Sequence, residues 1–213
     1  PQSDEFLNEW QVRVMELVDK YQPDLIFFDN GINYRSMDPW KLKIAKYYYN
    51  CASQWGREVS LLSKGRAYLH GSILDCERQS RAPKEKTENY WQVDEPIGHK
   101  FGYVEGLQLK SADGIIRSLV NNISKNGNLC LNVSPRGDGS IPEDQQKVLR
   151  RIGEWLRQYG EGVYNTRAYV VSGENNVRYT CKGNRLVYAF VLKWNGKPFA
   201  ISATGKGRVK SVV

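Results

Sequence analysis

The sequence predicts an α/β fold: a parallel sheet with helices outside it, followed by a small antiparallel β segment. Two observations carry this. From Glu5 to about Thr166, short apolar runs alternate with longer stretches whose apolar residues recur at helical spacing, the pattern of repeated strand–helix units. Beyond about Tyr169 the character changes, and apolar and polar residues alternate over Arg185–Leu192. The change divides the chain into 1–167 and 168–213, with the boundary near 165–170.

Each element has its own reason. Phe6, Trp10, Val14, Leu17, Val18 and Tyr21 predict an amphipathic helix over 5–20, with Pro23 just past its end. Leu25-Ile26-Phe27-Phe28 closes at Asp29; it is too short for a helix and suits a strand buried on both faces. Leu42, Ala45, Tyr48, Tyr49 and Ala52 predict a helix over 40–53, and Ile115, Ile116, Leu119, Val120 and Ile123 predict one at about 111–124. Val59–Leu62, Ser72–Cys76, Tyr90–Val93 and Leu129–Val133 read as four further strands, making five. Ser140-x-x-Glu143 is a capping-box candidate with Pro142 in the first turn. The stripe Val148, Ile152, Trp155, Leu156 and Tyr159 forms the following helix, and Gly160 is its expected stop. In the terminal segment Arg185–Leu192, Phe199–Ala203 and Arg208–Val212 read as strands, with Asn195-Gly196 as a hairpin turn between the first two.

Composition narrows the function classes. The 213 residues are 40% hydrophobic and 25% charged, an ordinary globular balance. No run approaches the ~20 apolar residues that span a bilayer. No basic-then-apolar leader opens the chain, as in a cytoplasmic protein or a trimmed secreted one, so the compartment stays open. The 31 basic and 23 acidic residues leave a net charge of +8, which would suit an anionic partner. The basic residues are nevertheless scattered, clustering only at Lys84–Lys86 and Lys206–Lys210, without the aromatic interleaving of a single-strand binder; no nucleic-acid partner is expected. Cys51, Cys76, Cys130 and Cys181 form no CxxC pair; all four are expected reduced, with Cys76 and Cys130 as small hydrophobes inside buried strands. His70 and His99 are isolated from each other, read as polar surface or loop residues, and suggest no metal; no cofactor is expected. Gly137-Asp138-Gly139 lacks a phosphate-loop pattern and reads as a turn that positions the next helix.

The stretch Gly127–Thr166, GNLCLNVSPRGDGSIPEDQQKVLRRIGEWLRQYGEGVYNT, carries a resemblance as well as a strand, a loop and a helix. It resembles the retaining α-L-fucosidases (glycoside hydrolase family 29), where a GNxLLN strand ends at a Pro-x-x-Asp-Gly loop and an IGEWL helix leads into a GE-x-x-Y segment. The resemblance implies a partial (β/α) TIM-type barrel of about five strands with catalytic groups at the C-terminal strand ends. YQPDLIFFDN is similar to the family's Y-x-PD-x-x-W-x-D segment, whose last Asp is the nucleophile; that position is Asp29. ILDCERQ is similar to the acid/base segment and places that role on Glu77. Retention needs two carboxyl groups ~5–5.5 Å apart, the nucleophile ionised and the acid protonated at the start. On the residues alone, plainer readings stand beside these: Asp29-Asn30-Gly31 as turn chemistry, and Glu77 as a surface partner of Arg78 or Arg81.

The resemblance also implies a wall for the sugar's methyl group. Phe27, where the family usually carries Trp, and Phe101 of the FGY segment are the candidates, with core packing the alternative for both. Trp91 in YWQVDEPIG matches a family Trp near the sugar, and Lys64 stands where some relatives carry an Arg that steadies the nucleophile or a hydroxyl.

A complete barrel has eight strands. The family's His-His-Asp-Gly-Phe segment has no counterpart here, so the resemblance implies the C-terminal part of a barrel and a shortened β-sandwich. Open strand edges would need cover, and a homo-oligomer is expected to supply it, with a second polypeptide as the alternative. The expected activity is removal of terminal α-L-fucose from glycans or fucosides; the alternative is a catalytically weak or inactive glycan-binding scaffold.

Overall fold

The computed structural model describes residues 2–68, 72–80, 82–203 and 210–211. His70 and Arg81, and in whole or part the Lys206–Lys210 cluster and the Arg208–Val212 strand, lie outside the described residues. The chain forms two compact units, Pro1–Asp75 and Cys76–Val213.

The first unit runs α1 (Asp4–Tyr21), β1 (Leu25–Phe28), α2 (Asp38–Trp55), β2 (Ser60–Ser63) and β3 (Ser72–Asp75). Ser3 caps α1 by accepting the Phe6 N–H at 3.2 Å, and Asp4, Glu5 and Lys20 carry the charges that suit the helix dipole. Gln22, at φ 44°, ends the helix before Pro23. β1 and β2 pair in parallel from Leu25↔Ser60 to Phe28↔Ser63, and β2 pairs in parallel with β3. One face of the strands meets the helices: Val14, Val18, Phe28, Ile44, Tyr48 and Leu61 form the core. The Tyr48 hydroxyl donates to the Pro23 carbonyl at 2.7 Å, so this buried ring leaves no polar atom unsatisfied.

The second unit contains β4 (Trp91–Pro96), α3 (Ala112–Ile123), β5 (Gly127–Asn132), α4 (Glu143–Tyr159) and the antiparallel strands β6 (Arg167–Glu174), β7 (Val177–Lys182) and β8 (Leu186–Val191). β4 and β5 pair in parallel, Trp91↔Gly127 through Pro96↔Asn132. Gly127 is required there, because a Cβ would lie 2.4 Å from Cζ2 of the Trp91 ring. Ser111 caps α3 by accepting the Gly114 N–H at 3.1 Å. Ile97, Ile115, Ile116, Val120 and Ile152 form the core beneath α3 and α4.

The βα alternation with parallel pairing in each unit is that of part of a (β/α) barrel, and β6–β8 form a separate three-stranded antiparallel sheet. Among the described residues no helix is long and apolar enough to cross a membrane.

Several local expectations need correction. Ser140 does not cap α4: its N–H and hydroxyl both bond Asp138 Oδ1, at 2.9 and 2.7 Å, and Pro142 takes the N-cap place with no side-chain bond. The nearby Asp side chain outcompetes the helix end for the Ser. Gly160 stops α4 as expected, though in a right-handed conformation that leads into a 3-10 turn. The expected 195–196 hairpin is not formed, since Phe199–Ala203 is not a strand; the sheet is completed by β6 and β7, joined at Asn175-Asn176 with Asn175 at φ 47°. Cys76 is buried as expected, whereas Cys130 is exposed because β5 turns Leu129 and Leu131, its neighbours on either side, toward the helices.

Candidate active site

Parallel register brings the first group of expected residues together. Phe28 pairs with Ser63, so the residues that follow these strand ends, Asp29 and Lys64, emerge side by side. Lys64 Nζ lies 3.2 Å from Asp29 Oδ1 and 5.7 Å from the centroid of the Phe27 ring. The lysine is 11% exposed and the aspartate 69%, so a confined cation holds a carboxylate that opens to solvent. Asn30 N–H donates to the same Oδ1 at 2.8 Å. Partial burial pushes the Asp29 carboxyl upward, but the Asn30 N–H and Lys64 outweigh it and hold the group below the ordinary aspartate value.

Helix α2 anchors the loop that carries Lys64. Lys41, only 5% exposed, pairs with Asp38 at 2.6 Å and donates to the Ala67 carbonyl at 3.2 Å. The Tyr68 hydroxyl returns a bond to the Lys41 carbonyl at 3.0 Å, and the Tyr68 N–H donates to Ser63 Oγ at 3.1 Å.

In the second unit Glu77 opens a 3-10 turn, Glu77–Gln79, directly after Cys76, whose N–H donates to the Gln92 carbonyl at 2.7 Å. The Arg78 guanidinium lies 4.6 Å from the Phe101 ring centroid, a cation–π contact. The backbone of Phe101 is held from the GNLCLN strand: its carbonyl accepts from Asn132 Nδ2 at 2.8 Å and Ser134 Oγ at 3.0 Å. Ser134 in turn exchanges two 2.9 Å bonds with the buried Gln145 amide of α4. The strand, the loop and the helix that the motif joins therefore position the Phe101 segment.

The structure thus gathers Phe27, Asp29 and Lys64 in one unit, and the Glu77 turn and Phe101 in the other. Trp91 departs from its expected place against a sugar. It is 2% exposed, its ring is packed on Gly127, and its Nε1–H donates to the Lys125 carbonyl at 3.0 Å. A ring so enclosed presents no face to a ligand; its position in a strand with one buried face is what puts it there. Sequence reasoning missed Lys41, Asn132, Ser134 and Gln79. Lys41 sits on the apolar side of α2, one turn before Ala45, and that misplaced charge was the available signal. Among the described residues no group of three His, Cys, Asp or Glu side chains could hold a metal ion.

The family profile described as Alpha-L-fucosidase matches residues 1–161. Tissue alpha-L-fucosidase of Bos taurus is 30% identical over 195 residues, covering 84% of this chain and 39% of the relative. The Homo sapiens tissue enzyme is 29% identical over 197 residues, covering 84% and 40%. Among solved structures, an alpha-L-fucosidase superposes with a TM-score of 0.77 at 32% identity, over 90% of this chain and 44% of that one. Thermotoga maritima alpha-fucosidase in complex with fucose gives 0.72 at 29% identity, over 88% and 42%. This chain spans about two fifths of the length of these curated relatives. With three quarters of its residues inside the family match, the chain belongs to the alpha-L-fucosidase family.

Proposed function

We propose that the protein is a glycoside hydrolase that releases terminal α-L-fucose from glycans or fucosides with retention of configuration. The observation that carries this is the Asp29 carboxylate held ionised beside Lys64 at the C-terminal end of β1, in a chain of this family. Asp29 attacks the anomeric carbon and forms a fucosyl ester, while Glu77 gives its proton to the departing glycosidic oxygen. Water then attacks the same carbon, Glu77 takes its proton, the ester bond breaks and Asp29 is regenerated. Lys64 steadies the nucleophile, and Phe27 and Phe101 offer apolar surface to the sugar's methyl group.

The test is hydrolysis of an activated aryl α-L-fucoside with Asp29→Ala and Glu77→Ala in parallel. Azide should rescue Asp29→Ala as the fucosyl azide of inverted configuration, and Glu77→Ala as that of retained configuration. Two variants that keep full turnover would refute both assignments.

The second reading is a catalytically weak or inactive glycan-binding protein. Saturable fucoside binding without turnover would establish it. Self-association belongs to the proposal too, a second copy covering Leu25 and Leu74, apolar strand residues 38% and 46% exposed. A strictly monomeric mass in sedimentation would rule that out.

A further inference from the structure

The turn that carries Glu77 has a backbone that its sequence does not favour. Arg78 and Gln79 have φ of 51° and 63°, two consecutive non-glycine residues in the left-handed region. Such residues persist only where their surroundings hold them, and they concentrate at functional sites. Local bonds are present but short in reach: Gln79 N–H to the Cys76 carbonyl at 3.2 Å, Ser80 N–H to the Glu77 carbonyl at 3.0 Å and Ala82 N–H to the Gln79 carbonyl at 3.1 Å. Bonds of this kind close a turn of either hand and do not select this one.

The selection comes from the Gln79 side chain. Its Nε2 donates to Glu95 Oε2 at 3.0 Å and to Ser118 Oγ at 2.7 Å, so both amide protons are used, one on β4 and one on α3. Glu95 is fixed in turn by Lys110, whose Nζ lies 2.5 Å from the other carboxylate oxygen. This ion pair is 15% and 30% exposed and borders a cavity of about 300 Å³ lined also by Ile115, Ser118, Leu129 and Leu131. Arg78 is held separately, over Phe101. Glu95 on β4 and Ser118 on α3 thus grip Gln79, with Lys110 holding Glu95 in place, and Gln79 sets the direction of the residue two positions before it.

We infer that Gln79 is a positioning residue, anchored by Glu95 and Lys110, which holds the left-handed turn that aims the Glu77 carboxyl. The inference rests on the proposed acid/base role of Glu77. It gives the Gln79–Glu95–Lys110–Ser118 cluster one role, exerted through the turn.

Two readouts test it on the purified chain. The first is amide hydrogen exchange at Ser80 and Ala82. Gln79→Ala and Glu95→Ala should each lower their protection at least about tenfold while β4 and β5 amides keep theirs. Glu95→Gln, which retains an acceptor for the Gln79 amide, should stay near wild type, and the Gln79→Ala/Glu95→Ala double variant should lose no more than either single one. Unchanged protection in the single variants, or a wild-type turn already exchanging at unfolded-chain rates, would overturn the inference. The second readout is leaving-group dependence. Glu77→Ala should lose kcat/KM for an unactivated alkyl fucoside far more than for an activated aryl one, because only the former needs the acid. Gln79→Ala should show the same selectivity, losing on the order of 100-fold on the alkyl substrate for a displacement of about 1 Å. Selectivity in Glu77→Ala but none in Gln79→Ala overturns the positioning role. Its absence in Glu77→Ala itself overturns the acid/base reading instead, and the exchange result then shows separately whether Gln79 holds the turn.

Discussion

Gly127→Ala tests both the family strand and the placement of Trp91. The added Cβ would stand 2.4, 2.5 and 2.7 Å from Cζ2, Cε2 and Cη2 of the indole. Ordinary contact begins near ~3.5 Å, so the ring or the strand must yield by about 1 Å. The ring has little freedom: Trp91 is directly opposite Gly127 in the β4–β5 pair, 2% exposed, with Nε1–H bonded to the Lys125 carbonyl. Overpacking costs about 1–3 kcal/mol, and breaking the indole bond adds about 1 kcal/mol, giving about 2–4 kcal/mol in all. For a chain of this size each kcal/mol lowers Tm by about 2–4 °C, so a fall of roughly 10 °C is expected. Urea unfolding measures the loss. Trp91→Phe, which removes the clashing half of the indole, should recover at least about 1 kcal/mol of it in a double-mutant cycle. A neutral Gly127→Ala, within about 0.5 kcal/mol, would refute the reasoning and make Trp91 a candidate sugar contact again.

Three further predictions follow from the same geometry. Lys64→Met removes a cation that depresses the Asp29 carboxyl, so the acid limb of the pH–kcat/KM profile should move to higher pH; an unmoved limb would separate Lys64 from the nucleophile. Glu174 accepts bonds from the Ser202 hydroxyl and N–H, the Tyr179 hydroxyl and the Ala203 N–H, which pull its carboxyl from 4.5 down to about 2. A carboxyl depressed on folding stabilises above its unfolded value and loses that contribution as pH falls through the folded one, so proteolysis of 195–203 should rise between about pH 4.5 and 2 in wild type. Glu174→Gln should be cleaved readily already at neutral pH. Finally, Asn122 is 0% exposed, and neither Oδ1 nor Nδ2 has a partner; the near-isosteric Asn122→Leu should stabilise by about 1–3 kcal/mol in urea unfolding, and a loss instead would reveal a bond to ordered water.

How far the sequence could be read depended on where the relevant physics was local. The helix periodicities and apolar runs placed α1 to α4 and β1 to β5 within a few residues, because each element buries one continuous face. The β6–β7 hairpin escaped notice because its strands carry Arg167, Ser172, Arg178 and Thr180, polar side chains whose placement comes from tertiary partners. Thr180 bonds the Gly162 carbonyl at 2.7 Å, and Arg178 bonds Asn121 at 3.0 Å. Asp29 and Lys64 were singled out through the family pattern, Lys64 as the place where some relatives carry an Arg; the parallel register of β1 and β2 is what sets the two side by side. The Gln79 anchor was not legible: its partners lie 16 and 39 residues away, and no spacing rule connects them. Trp91 marks the opposite case, an aromatic that reads as a ligand platform but fills the core because β4 alternates its side chains between two faces.

The most direct test of the central claim is covalent trapping of the nucleophile. A 2-deoxy-2-fluoro-α-L-fucosyl fluoride slows both steps, and release of the ester more than its formation, so the enzyme should accumulate the fluorofucosyl ester. Peptide mass spectrometry is predicted to find that adduct on the peptide containing Asp29, and to find none in Asp29→Ala. A label on another carboxylate, or none on a folded chain that turns over aryl fucosides, would contradict the account.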